Sequence, residues 1–110
     1  MTRKVLIPLY GNDVAPRFDL ATEVLIVSIG ADDVVEDERT VVLPHASAED
    51  LCHLILTENI GVVICGGIEE EYYRYLKWKK VTVLDSVMGP FDRVLERFEE
   101  GRLREGNILF

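Results

Sequence analysis

The sequence predicts a single α/β domain built on a mixed five-stranded sheet with about three helices. Three observations predict it. Two apolar, β-branched runs early in the chain are joined by a turn, short wholly apolar runs recur later, and helical spacing fills the gaps between them. A chain of 110 residues has room for one core, and a second domain would be too small to stand alone. The expected unit is residues 1–104, followed by a tail over 105–110.

Lys4 to Leu9 reads as a buried strand, a short apolar run ended by a loop. Gly11, Asn12, Asp13 and Pro16 favour turns and hold the segment from Tyr10 to Asp19 as a loop. Glu23 to Ile29 is the second strand. Gly30-Ala31-Asp32-Asp33 makes a tight turn, and a third strand over Val34 to Leu43 returns antiparallel. Charge at Glu36, Asp37, Glu38 and Arg39 marks that strand as an exposed edge, where it deters unwanted pairing.

The period then becomes helical. Ser47 starts a helix with Asp50 in capping relation; Leu51, Leu54, Ile55 and Glu58 share one side, and Gly61 is a fitting stop. Val62 to Cys65 is wholly apolar, as in a strand covered on both faces. Ile68, Tyr72, Tyr75 and Leu76 place a second helix from Glu69 to Lys79, and Val81 to Leu84 is another buried strand. Pro90 opens a last helix that turns Phe91, Val94, Leu95 and Phe98 inward, and Gly101 closes it. Right-handed crossovers set the last two strands beside the first and leave the hairpin on the other edge, an order of 3-2-1-4-5.

Charge and composition narrow the function. Twelve basic against twenty acidic residues leave a net charge of −8, which argues against nucleic acid and against an anionic membrane surface. The longest apolar stretches, Val5 to Leu9 and Val24 to Ile29, are too short to span a bilayer. The basic start at Met1-Thr2-Arg3-Lys4 lacks a following cleavage site, so a cytoplasmic protein is expected, with Cys52 and Cys65 as reduced thiols. No Ser–His–Asp arrangement, GxGxxG or Walker loop is present, and the first strand carries no carboxylate, so a non-catalytic protein is expected.

In an open α/β sheet, ligands bind beyond the carboxyl ends of the parallel strands. Three segments converge there: 11–19, Cys65-Gly66-Gly67-Ile68, and 85–89. Cys65 ends a strand near a helix start, where a thiol is activated and anions are attracted, and the glycines admit a bulky ligand. Equally, Cys65 is a small buried hydrophobe in a tight turn. Arg17-Phe18-Asp19, after Pro16, offers a cation and a carboxylate, or simply a surface ion pair. His45 is a weaker candidate ligand in a loop. Cys52 reads as core and His53 as surface. Core packing accounts for Tyr72 and Tyr75, whereas Tyr73 and Trp78 mark a partner surface.

Three pieces in order carry a family resemblance: Ile7-Pro8 leading into Val14-Ala15-Pro16-Arg17-Phe18-Asp19, then Gly61 to Ile68, then Glu100-Gly101-Arg102-Leu103. From about Arg3 to Leu103 the chain resembles the dinitrogenase iron–molybdenum cofactor family of NifX-like carriers. That resemblance implies a three-layer, ribonuclease-H-like fold and noncovalent carriage of an anionic metal–sulfur cluster between proteins, outside or within nitrogen fixation. It places the cluster on Pro16, Arg17, Phe18, Asp19, Cys65, Gly66, Gly67 and Ile68, with Cys65 as the candidate metal ligand. One departure stands out: Glu69-Glu70-Glu71 opens the next helix, placing negative charge beside the anion site. The alternative is a metal-free regulatory or protein-interaction domain of the same fold.

Overall fold

The structure is a computed structural model that describes residues 3–32 and 34–110. Met1 and Thr2 of the basic start, and Asp33 of the expected turn, lie outside the described residues.

An antiparallel meander forms first. β1 (Arg3–Tyr10) turns at Gly11 into β2 (Asp13–Val14), and β3 (Glu23–Ile29) and β4 (Val35–Val42) follow. After α1 (Ala48–Thr57) the chain crosses to β5 (Val62–Ile64), parallel to β1, and after α2 (Glu70–Trp78) to β6 (Thr82–Leu84), parallel to β5. Then α3 (Phe91–Glu99) closes the fold. The five longer strands run β4-β3-β1-β5-β6, which is the expected order.

β2 is a sixth strand that sequence reading assigned to a loop. Gly11 adopts φ +63°, which reverses the chain and lays Val14 against Leu9 and Asp13 against Tyr10. A two-residue strand flanked by turn formers carries no periodic signal, and tertiary pairing alone creates it.

The sheet separates two cores. Leu6, Val24, Ile26, Val63 and Val83 face α1 and α2, where Leu51, Ile55 and Leu76 are fully buried. Val5, Ile7, Leu25, Val27 and Ile64 face α3, which contributes Val94 and Leu95. Strict alternation sends Val63 to one core and Ile64 to the other, which is why β5 is apolar throughout. β4 is the outer edge: residues 36–40 are all exposed, as the charge of 36–39 requires.

Local signals account for the helix ends. The Ser47 hydroxyl accepts the Asp50 N–H at 3.2 Å and caps α1. The left-handed residue after α1 is Asn59, at φ 57°, rather than Gly61; Asn tolerates that region better than other side chains. After α3, Gly101 adopts φ +71° and Arg102 N–H returns to the Arg97 carbonyl, as expected. The tail lies against the segment that follows β6: Met88 N–H donates to Asn107, and Leu109 N–H donates to Met88.

Burial decides which substitutions matter. Leu51→Ala should cost about 2–5 kcal/mol in urea unfolding, whereas Val42→Ala, at a residue 73% exposed, should stay within about 0.5 kcal/mol.

Candidate functional site

β1, β5 and β6 end on the same side of the sheet, and the three loops leaving them are joined by backbone hydrogen bonds. Gly67 N–H donates to the Pro16 carbonyl at 2.7 Å, and Phe18 N–H returns to the Gly67 carbonyl at 2.8 Å. Ser86 N–H donates to Gly66 and Val87 N–H to Cys65, while Val14 N–H reaches Gly89. The segments 16–19 and 65–68, far apart in sequence, therefore meet edge to edge.

Phe18 anchors this junction from below. It is 1% exposed and its ring lies 6.5 Å from that of Tyr72 on α2. The two glycines do different jobs. A Cβ on Gly66 would collide with the Ala15 carbonyl oxygen and stand 2.6 Å from that of Pro16, so Gly66 exists for loop-to-loop packing. The nearest atom to a Cβ on Gly67 would be the Pro16 oxygen at 3.4 Å, and Gly67 itself is exposed.

Cys65 has no exposed surface and packs in the α1/α2 core. Burial pushes its thiol up to about 12, with the Asp85 carboxylate adding in the same direction. The sequence-based role of Cys65 as a thiolate ligand is therefore at odds with its surroundings: an enclosed, neutral thiol coordinates nothing unless the loops part. Its place describes the other reading, a small buried hydrophobe. Cys52, 5% exposed on α1, is similar; burial and then Glu49 push its thiol up to about 11.

Above the junction, Arg17, Asp19, Gly67, Ile68 and Glu69 line a shallow depression of about 260 Å³. Arg17 is bound in bidentate fashion by Asp19, at 3.0 Å through Nε and 2.8 Å through its terminal nitrogen, and Glu69 lies 4.0 Å away. Backbone N–H groups of Ile68 and Glu69, just ahead of α2, have no acceptor among the described residues. The depression thus offers one guanidinium and free N–H groups, set against two carboxylates.

The three glutamates that open α2 diverge, because successive helical residues are about 100° apart. Glu69 joins the depression, Glu70 pairs with Arg74 at 2.7 Å, and Glu71 turns toward α1. His45 stands apart from this site, exposed and 3.3 Å from Asp50. Among the described residues, no group of three or more His, Cys, Asp or Glu side chains could hold a metal ion. The sequence sets all three glutamates beside the site, and the structure brings only Glu69 into the depression. Sequence reading reversed two tyrosines: Tyr73 packs against the core, while Tyr75 is 38% exposed beside Trp78. Both Tyr72 and Tyr73 flank Leu76 one turn on, which leaves Tyr75 on the outer side.

The chain is a small layered α/β protein whose loops are knit together beyond the parallel strand ends, the edge where open α/β sheets bind ligands. The chain belongs to the dinitrogenase iron–molybdenum cofactor family, whose model matches residues 1–101. Among solved structures, a candidate dinitrogenase of Methanocaldococcus jannaschii is 25% identical, with a TM-score of 0.77 over 96% of this chain and 95% of that one. The protein PH0822 is 23% identical, with a TM-score of 0.84 and coverage of 93% of both chains. The apo form of the orange protein from Desulfovibrio gigas is 18% identical, with a TM-score of 0.70 over 94% and 92% of the two chains. At these identities the last two share the fold alone. No curated protein sequence matches this chain. No helix among the described residues is long and apolar enough to cross a membrane.

Two outcomes are expected from this geometry. Gly66→Ala should lower stability by about 1–3 kcal/mol or more in chemical unfolding, because backbone carbonyls cannot yield, and Gly67→Ala should cost well under half of that. Both folded thiols stay protonated above the ordinary value of 9.0, at which the unfolded chain releases them. Their contribution to stability is therefore complete below pH 9 and is lost as pH rises through about 11 and about 12. The loss runs at up to about 1.4 kcal/mol per pH unit for each thiol. Unfolding measured across that range should show the decline, and the double variant Cys52→Ala/Cys65→Ala should flatten it.

Proposed function

We propose that this protein is a non-catalytic carrier that holds an anionic metal–sulfur cluster, of the iron–molybdenum cofactor or precursor type, noncovalently on the joined loops. The observation that carries this reading is the meeting of residues 16–19 with 65–68 around Arg17, in a chain whose family is named for that cofactor. The cluster is cargo, received from one protein and delivered to another.

Each residue then has a part. Arg17 supplies the balancing charge and Asp19 orients its guanidinium. Free N–H groups of Ile68 and Glu69 donate to the cluster's sulfur atoms, aided by the positive end of the α2 dipole. Gly67 gives an open platform that lets a bulky anion approach. Pro16, Phe18, Cys65 and Gly66 shape the loops from within rather than touching the cargo. Neither Cys65 nor His45 needs to be a metal ligand for this mode of binding.

The alternative, a metal-free regulatory or interaction domain, is favoured by one observation. Two carboxylates, Asp19 and Glu69, already surround Arg17, so the depression carries excess negative charge before any anion arrives. A charge-assisted contact nevertheless contributes about 1.5–3 kcal/mol, while an exposed pair such as Arg17–Asp19 holds its partners by about 1 kcal/mol or less.

Anaerobic titration with the tetrathiomolybdate dianion, followed by its absorption bands, separates the two. The carrier reading expects saturable binding that weakens roughly 10- to 100-fold in Arg17→Ala and changes little in Cys65→Ala. Absence of saturable binding, or equal binding by Arg17→Ala, would favour the metal-free domain.

A further inference from the structure

Away from the joined loops, α1 and α2 part to leave a groove of about 340 Å³. It is lined by Cys52, Leu56, Tyr72 and Tyr75 together with Glu49, His53 and Glu71. We infer that this groove is a docking surface for a partner protein that inserts a basic side chain, arginine or lysine, between Glu49 and Glu71.

Charge is the first argument. Glu49 is on the first turn of α1 and Glu71 on the first turn of α2, so both carboxylates border the same groove. Among the described residues no lysine, arginine or histidine pairs with either of them, although Glu58, Glu70 and Asp19 all have such partners. Both also act on the Tyr72 hydroxyl, which partial burial and then Glu71, Glu49 and Glu69 shift upward. Glu49, Glu71 and Tyr72 thus line one groove. A cation placed there meets two uncommitted carboxylates above aromatic rings, the combination that holds guanidinium and ammonium groups. An anion between the two carboxylates meets repulsion from both, and the protein's net charge of −8 acts in the same sense at longer range.

Shape is the second argument, and it selects a protein segment over a free ion. Tyr75 lines the groove, and its ring centroid lies 6.3 Å from that of Trp78, three residues further along α2. Trp78 is 71% exposed, and Lys79 lies 4.5 Å above its ring. A small cation would fill the acidic end and leave this aromatic ridge untouched. A chain segment covers both, with a basic residue in the groove and an apolar neighbour on the ridge, as aromatic and arginine contacts do in protein interfaces. Neither Arg17 nor Gly67 lines the groove, so this inference stands independently of the cargo.

The test uses the full-length, isotope-labelled protein and a short synthetic peptide that combines arginine with leucine and phenylalanine. The same peptide with citrulline in place of arginine serves as its neutral twin, and free arginine as a small cation. Docking predicts saturable amide shifts at His53, Leu56, Tyr72 and Tyr75, with affinity falling roughly tenfold in Glu49→Gln/Glu71→Gln. Removing the same charge from the β4 edge, in Asp37→Asn/Glu38→Gln, should change affinity by less than about twofold. Equal losses in the two double variants, equal binding of the citrulline peptide, or no binding at all would overturn the proposal. Free arginine binding as tightly as the peptide would also overturn it, by assigning the groove to a small organic cation.

Discussion

The close approach of Gly66 to the Ala15–Pro16 backbone is the contact on which the rest of the site depends. Because nothing stands between these segments, Gly67 N–H can reach the Pro16 carbonyl and Phe18 N–H can reach back to Gly67. These bonds hold two loops, one from β1 and one from β5, at a fixed spacing. The loop after β6 adds its own bonds through Ser86 and Val87. A preorganised surface results, since these backbone groups of the three loops pair with one another. Arg17 and the start of α2 are positioned as a consequence.

The same packing explains why the thiol at the centre of the site is hidden. Cys65 is the last residue before the glycines, and alternation along β5 turns its side chain toward the α1/α2 core. Closing the loops above seals it. The groups left around the outer depression are Arg17, Gly67 and the segment Ile68-Glu69 that leads into α2. Their electrostatics are mixed, with one cation against Asp19 and Glu69. On the proposed carrier reading, such a surface would release an anionic cargo readily, which suits delivery better than storage.

Much of the fold was legible because periodicity changes sharply along the chain. The charged run 36–39 identified the edge strand, Ser47 the start of α1 and Gly101 the end of α3. β2 was not legible, since two residues cannot show a period and their pairing depends on Gly11. Motifs brought residues 16–19 and 65–68 together correctly, yet they could not say which side chains point outward. That depends on β5 alternation for Cys65, and on helical phase for Glu69, Glu70 and Glu71. Tyr73 and Tyr75 were exchanged for the same reason: a short helix tilted by a few tens of degrees changes which of two neighbours is buried. The α1/α2 groove was invisible because it belongs to the spacing between helices, which no single segment encodes.

Mapping amide shifts of the labelled protein during anaerobic titration with tetrathiomolybdate tests the central claim most directly. The account predicts saturable changes centred on Arg17, Gly67, Ile68 and Glu69, with the Cys65 thiol still protonated at saturation. Changes centred elsewhere, or a thiol that deprotonates as the anion binds, would contradict it.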